Sequence, residues 1–259
     1  MLLSLPDGEA HQLASAWKVD KIRKGLSPAS INRSMAALNS LVKSARLHGF
    51  TQLRMDAKGI KSKPYRDTRG PGTDGIQSLL AAAHNQDPRK AARDVAILRL
   101  GYGLGLRRGE IVSLNIGHAD LEAGAVLVMG KGSSELEPLT LPANTKAALE
   151  AWLAVRGTDD PDAPLFVNVS RAHHGERMTG AGVYHLIRCY LGTKAGVIAR
   201  PHGLRHTAIT KALDVFSGDY RKARAFSRHA SLDTVRRYDD NRADHGGQVA
   251  HAIDALVSD

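Results

Sequence analysis

The sequence predicts a mainly α-helical protein carrying one small antiparallel β-sheet, an α+β fold. Three observations predict it. Apolar residues recur at helical spacing along most of the chain. Helix-start signals, Ser27-Pro28 and Asp87-Pro88, stand directly before such runs. One stretch only, "AVLVM" and "LEPLTL" around the turn "GKGSS", reads as a hairpin.

The elements follow in order. After Ser27-Pro28, the residues Ile31, Met35, Leu38, Leu41 and Val42 keep one face apolar until Gly49, while Arg33, Lys43 and Arg46 occupy the other. "DAKGIKSKPYRDTRGPG" is rich in glycine, proline and lysine and reads as a linker, with a domain boundary near Arg69. Thr73 is a candidate cap for the next helix, which carries Ile76, Leu79 and Leu80. Asp87-Pro88 opens another, bearing Val95, Leu98 and Tyr102 and ending in "GYGLG", after which "RRGEIVSL" resumes helix. Helices are expected at about 143–156, 179–191, 202–214, 218–228, 231–239 and 247–257, and a short strand near 164–168. At the end, Gly246-Gly247 read as a joint before an apolar stripe of Val249, Ile253 and Leu256. In a lone chain that stripe is expected to dock on its own domain.

Bulk properties exclude several classes. With 259 residues, 42% hydrophobic and 24% charged, the chain is globular rather than disordered. It has no apolar run of about 18 residues, so no membrane span is expected, and "MLLSLPDGEA" lacks the pattern of a signal peptide. Cys189 stands alone, which excludes an intrachain disulfide and fits a reducing cytoplasm. The net charge of +10 is uneven. Residues 1–70 hold 13 Lys and Arg against 5 Asp and Glu, whereas the remainder hold 23 against 21. A basic arm on a near-neutral body suits a polyanion, though a solubilising surface would look similar.

The chemistry-bearing residues lie in four places. Arg107, in "GLGLRRGE", sits where glycine-rich chain enters a helix, suited to an anion, with Glu110 placed to hold a guanidinium; a surface ion pair is the plainer reading. Lys131 lies between two glycines at the hairpin tip, either a solvated lysine or a mobile general acid. In "RPHGLRHTAIT", His202 and Arg205 share a helix face, a pairing suited to a phosphate in transition. His206 adds an H-x-x-x-H pair, which suggests zinc only weakly because no third ligand accompanies it. Finally, in "AFSRHASLDTVRRYDD", nine residues separate His229 from Tyr238. One continuous helix would put them on opposite faces. Ser231 is a plausible cap that breaks the helix between them and turns Tyr238 inward with Leu232 and Val235, as a core tyrosine or as a reacting one.

Taken in order, Arg107 in "GLRRGE", Lys131 in "GKG", His202 and Arg205 in "HGLR", His229 in "SRHASL" and Tyr238 nine residues on resemble the signature of the tyrosine recombinases, the phage-type integrases. Arg228 departs from that pattern, standing where the family usually has glycine before the histidine. The resemblance implies a catalytic domain over 70–259, preceded in 1–69 by a short helical core-binding domain and linker, either naturally short or truncated. It also implies site-specific recombination of double-stranded DNA, with Tyr238 as the nucleophile that forms a 3′-phosphotyrosine, Arg107 and Arg205 as the groups that stabilise charge, and Lys131 as the acid that protonates the leaving oxygen. By the same resemblance His202 is expected to assist proton removal from the tyrosine and His229 to bond the phosphate. No cofactor or metal is implied. The protein is expected to be monomeric off DNA, tetrameric in synapsis, and cytoplasmic at the nucleoid. The alternatives are a catalytically inactive DNA-binding relative, or a metal-dependent nuclease built on His202, His206 and His229.

Overall fold

The structure, a computed structural model, describes residues 2–61, 70–130, 135–170, 173–240 and 245–257. The chain divides into two compact units, Met1–Asp67 and Thr68–Asp259.

The first unit holds helices α1 (Asp7–Arg23) and α2 (Pro28–Leu47). Ser27 caps α2 as its position suggests, its hydroxyl accepting from Ser30 N–H at 3.3 Å. Ala10, Ala14, Ile31, Met35, Val42, Ala45 and Leu53 are buried, while Arg33, Lys43 and Arg46 face solvent. Part of the expected linker is not free. Asn32 and Asn39, two turns apart on α2, each bond a backbone group pair of the extended segment 51–61. Ile60 N–H donates to Asn32 at 2.7 Å and Ala57 N–H to Asn39 at 2.9 Å, and both amides donate back to the carbonyls of the same residues. The asparagine side chains take the place of a neighbouring strand.

The second unit is built round α4 (Pro88–Gly103), capped by Asp87. Val95, Ala96, Ile97, Leu98 and Leu100 are all buried, so this helix is enclosed on nearly every side. Packed with it are α3 (Gly72–His84), α5 (Arg108–Ser113) and α6 (Ala143–Arg156). Thr73 falls inside the first turn of α3 and is not its cap. Three antiparallel strands, β1 (Ala119–Asp120), β2 (Ala125–Met129) and β3 (Leu136–Thr140), lie in the order β1-β2-β3, with Met129 opposite Leu136 at the described end of the hairpin.

The expected strand near 164–168 does not form; the segment makes only single bridges, Asn115 with Pro164 and Val167 with Arg177. Side chains satisfy three of its carbonyls, while main-chain bonds such as Leu165 N–H to Leu114 O and Met178 N–H to Phe166 O also hold the segment. Trp152 Nε1 donates to Leu165 O at 2.8 Å, Arg156 to Pro164 O at 2.8 Å and buried Arg93 to Val167 O at 3.1 Å. The segment is therefore held by isolated main-chain bonds and by side chains, with no continuous ladder.

The helix expected over 179–191 is α7 (Gly180–His185), continued by a π-helical turn (Leu186–Leu191) and α8 (Gly192–Lys194). Then come α9 (Pro201–Val215), α10 (Tyr220–Ser227), α11 (Leu232–Asp240) and α12 (His245–Asp254). Gly246-Gly247 is not a joint: both residues lie within α12. Glycine weakens a helix by about 1 kcal/mol per residue but does not forbid it. Ile253 and Leu256 are 58% and 84% exposed, so in the single chain these two residues of the stripe stay open. Among the described residues no helix is long and apolar enough to cross a membrane.

Candidate active site

Helix α9 carries the centre of the site. Pro201 starts it, and Arg205, one turn in, is only 1% exposed. Its guanidinium donates to two main-chain carbonyls, Gly105 O and Ser227 O, and lies 3.3 Å from His229 Nε2. Among the described residues no carboxylate pairs with it. Gly105 reaches this position through a left-handed φ of +58°, and a Cβ there would meet the Phe226 ring at 3.2 Å. Burial, reinforced by Arg107 and Arg228, brings the Arg205 pKa down to about 10.

Arg107 is the N-cap of α5. Glu110 accepts from its guanidinium at 2.6 Å and from its backbone N–H at 2.8 Å, so the carboxylate uses the N–H that the sequence had made available to an anion. Arg228 Nη2 also reaches Glu110, at 2.7 Å. Two guanidiniums thus share one carboxylate, and with Arg205 close by the site keeps an excess of positive charge.

The break between α10 and α11 positions the remaining pair. Arg228 ends α10 in the left-handed conformation, φ +51°, and Ser231 Oγ accepts from Asp233 N–H at 3.1 Å at the start of α11. Arg224 donates to His229 O and Ala230 O and fixes the intervening turn. His229 and Tyr238 then meet, with ring centroids 5.6 Å apart. Tyr238 is 7% exposed, packed with Ile209, Leu213, Ala223 and Val235 and against the His206 ring at 4.7 Å.

Electrostatics set the protonation states. His229 is held down at about 4, by burial first and then by Arg205 and Arg107. Because Arg205 can only donate, Nε2 accepts and the neutral ring carries its proton on Nδ1, which is buried with no protein partner. His202 has an open surface but lies in the rim of the site, where partial desolvation, Arg205 and Arg107 lower its pKa. Burial pushes the Tyr238 phenol up, against the pull of Arg205 and Arg107. At neutral pH the site therefore combines cationic arginines, neutral histidines and a protonated phenol.

Comparison with known proteins places the whole chain in a family. Residues 73–245 match the model of the phage integrase family. The tyrosine recombinase slr0733 of Synechocystis sp. is 36% identical over 258 residues, covering 98% of this chain and 82% of the relative. Tyrosine recombinase XerC of Salmonella typhi is 35% identical over 232 residues, covering 87% of this chain and 74% of the relative. The chain belongs to the tyrosine recombinases. In fold it is similar to the XerH site-specific recombinase in a post-cleavage complex with its difH substrate, with a TM-score of 0.69, 21% identity, and coverage of 95% of this chain and 72% of that one.

The recombinase thus brings Arg107, His202, Arg205, His229 and Tyr238 to one region, while Lys131 lies outside the described residues. Sequence reasoning missed three participants: the Gly105 and Ser227 carbonyls that orient Arg205, and the Arg228 side chain. The positive φ at Arg228 is invisible in the sequence, but the departure from glycine marked the position. The metal-nuclease alternative is not favoured. His206 is committed to Tyr238 and to Thr210 Oγ1 at 3.3 Å, and His229 faces guanidiniums that would repel a divalent cation.

Proposed function

We propose that the recombinase cleaves and rejoins double-stranded DNA through a covalent bond between Tyr238 and a 3′-phosphate. The observation that carries the assignment is Arg205. It is buried, aimed by two carbonyls and without a carboxylate partner, so its charge is available to a phosphate oxygen.

Tyr238 Oη attacks the scissile phosphorus and the bond from phosphorus to the 5′ oxygen breaks. The tyrosine proton passes to neutral His202, whose lowered pKa keeps it a base at neutral pH. Arg107 and Arg205 stabilise the charge that grows on the non-bridging oxygens, and His229 hydrogen-bonds the phosphate. Lys131 protonates the leaving 5′ oxygen. A free 5′-hydroxyl from another strand reverses the step and reseals DNA, so the energy of the phosphodiester is conserved in the tyrosyl linkage.

Residues 1–69 act as a short core-binding domain gripping backbone phosphates through their excess of Lys and Arg. The protein works at the nucleoid in the cytoplasm, monomeric off DNA and tetrameric in synapsis, where α12 packs on a neighbouring subunit.

The test is a suicide substrate nicked near the cleavage site and run on a denaturing gel. Wild type traps a protein–DNA adduct, with or without EDTA. Tyr238→Phe binds the same DNA and traps none. An adduct persisting in the Phe variant rejects the nucleophile.

A further inference from the structure

We propose that Arg228 is a positioning residue of the recombinase, which locks the Arg107 guanidinium by sharing the Glu110 carboxylate with it. The proposal deepens the recombinase reading above and rests on it for the reaction affected.

The backbone comes first. Arg228 occupies the left-handed region at φ +51° and ψ +42°, a conformation that disfavours a side chain of this size relative to glycine. The side chain is nevertheless folded inward, with 8% exposure. It crosses from the end of α10 to two other segments: Nη1 donates to Leu104 O at 3.4 Å, just after α4, and Nη2 to Glu110 Oε2 at 2.7 Å, on α5.

Glu110 then has no freedom left. Oε1 takes the Arg107 guanidinium at 2.6 Å, and Oε2 takes the Arg107 N–H at 2.8 Å together with Arg228. The left-handed turn also aims the Arg228 carbonyl at Arg107 Nη2, 3.5 Å away. Both the main chain and the side chain of residue 228 thus bear on Arg107, one directly and one through the carboxylate. Without the Arg228 side chain, Glu110 keeps only Arg107 and can rotate with it, and the two neutralise each other. With it, one carboxylate serves two guanidiniums, and Arg107 stays both fixed in direction and incompletely neutralised.

Arg228→Gly and Arg228→Asn are the informative variants, because both suit the left-handed backbone, so a defect is not strain. Two readouts on the full chain apply. Single-turnover cleavage of the nicked substrate at saturating protein should fall by up to roughly 100-fold, the scale of loss when a catalytic group is misplaced by about 1 Å. Half-site affinity in a gel shift should change little. Arg228→Lys should recover part of the rate. In the Glu110→Gln background, adding Arg228→Gly should cost almost nothing more. Separately, ¹⁵N spectra of arginine side chains, with the Arg107 signals identified by their loss in Arg107→Lys, should show resolved Nη signals in wild type and averaged signals in Arg228→Gly.

Cleavage at the wild-type rate in Arg228→Gly overturns the proposal. So do unchanged Arg107 signals in that variant, or full additivity with Glu110→Gln. A wild-type chain that holds Arg107 rigid but never links to DNA refutes the recombinase chemistry instead, and the spectra still decide whether Arg228 positions Arg107.

Discussion

Replacing Arg205 with methionine should separate stability from activity. Methionine keeps much of the side-chain volume and removes the charge. Holding a buried guanidinium at about 10, below the ordinary arginine range, costs the folded state on the order of 3 kcal/mol at neutral pH, which the variant regains. Against this, the Gly105 and Ser227 carbonyls lose their donor. Each orphaned buried acceptor costs about 1–3 kcal/mol. The two effects nearly offset, leaving a net destabilisation between about −1 and +3 kcal/mol, or a fall in Tm of no more than roughly 12 °C for a unit of this size. Catalysis has no such offset. Removing one preorganised donor from a developing oxyanion costs about 10²–10³ in rate. Thermal denaturation and single-turnover cleavage of the nicked substrate, measured on one preparation, give both numbers. Cleavage within a few-fold of wild type would refute the assignment of Arg205 to the phosphate. Failure to fold would show that the two carbonyl contacts hold the unit together and that aiming the charge is secondary.

Three further outcomes are expected. If the basic first unit grips about 5 phosphates, half-site binding by the full chain should weaken with salt, log K falling against log salt with a slope near −4 to −5, and a flat plot would make the charge a solubility feature. Stability should decline as pH falls from about 6.5 towards 4, because the unfolded chain takes up a proton that folded His229 refuses until about 4; His229→Gln should flatten that part of a urea-midpoint profile, and an unchanged profile would show that His229 is not the group responsible. Deleting 245–259, which removes the exposed Ile253 and Leu256, should spare half-site binding while abolishing synapsis, and full recombination by the truncation would reduce α12 to local packing.

The mainly helical architecture was legible in the chain because it is encoded locally. Ser27 and Asp87 cap the helices they precede, Pro201 opens α9, and α6 spans the residues its periodicity marked, since capping and one-sided apolar spacing act within a few residues. Ser231 is the most informative case. Its cap breaks the helix between His229 and Tyr238, and without that break a spacing of nine residues would keep the two rings apart. Where long-range partners decide, local pattern failed. "PLFVN" has strand composition, yet Trp152, Arg156 and Arg93 from two helices satisfy three of its carbonyls and no strand forms. "DAKGI" has linker composition, yet Asn32 and Asn39 hold it against α2. The same division runs through the site. The order of Arg107, His202, Arg205, His229 and Tyr238 could be read from the chain. That Arg205 is aimed by the carbonyls of residues 105 and 227, and that Glu110 is divided between Arg107 and Arg228, could not. Two of those contacts, Arg205 with Gly105 and Glu110 with Arg228, join residues 100 and 118 positions apart, and only tertiary packing brings them within hydrogen-bonding distance.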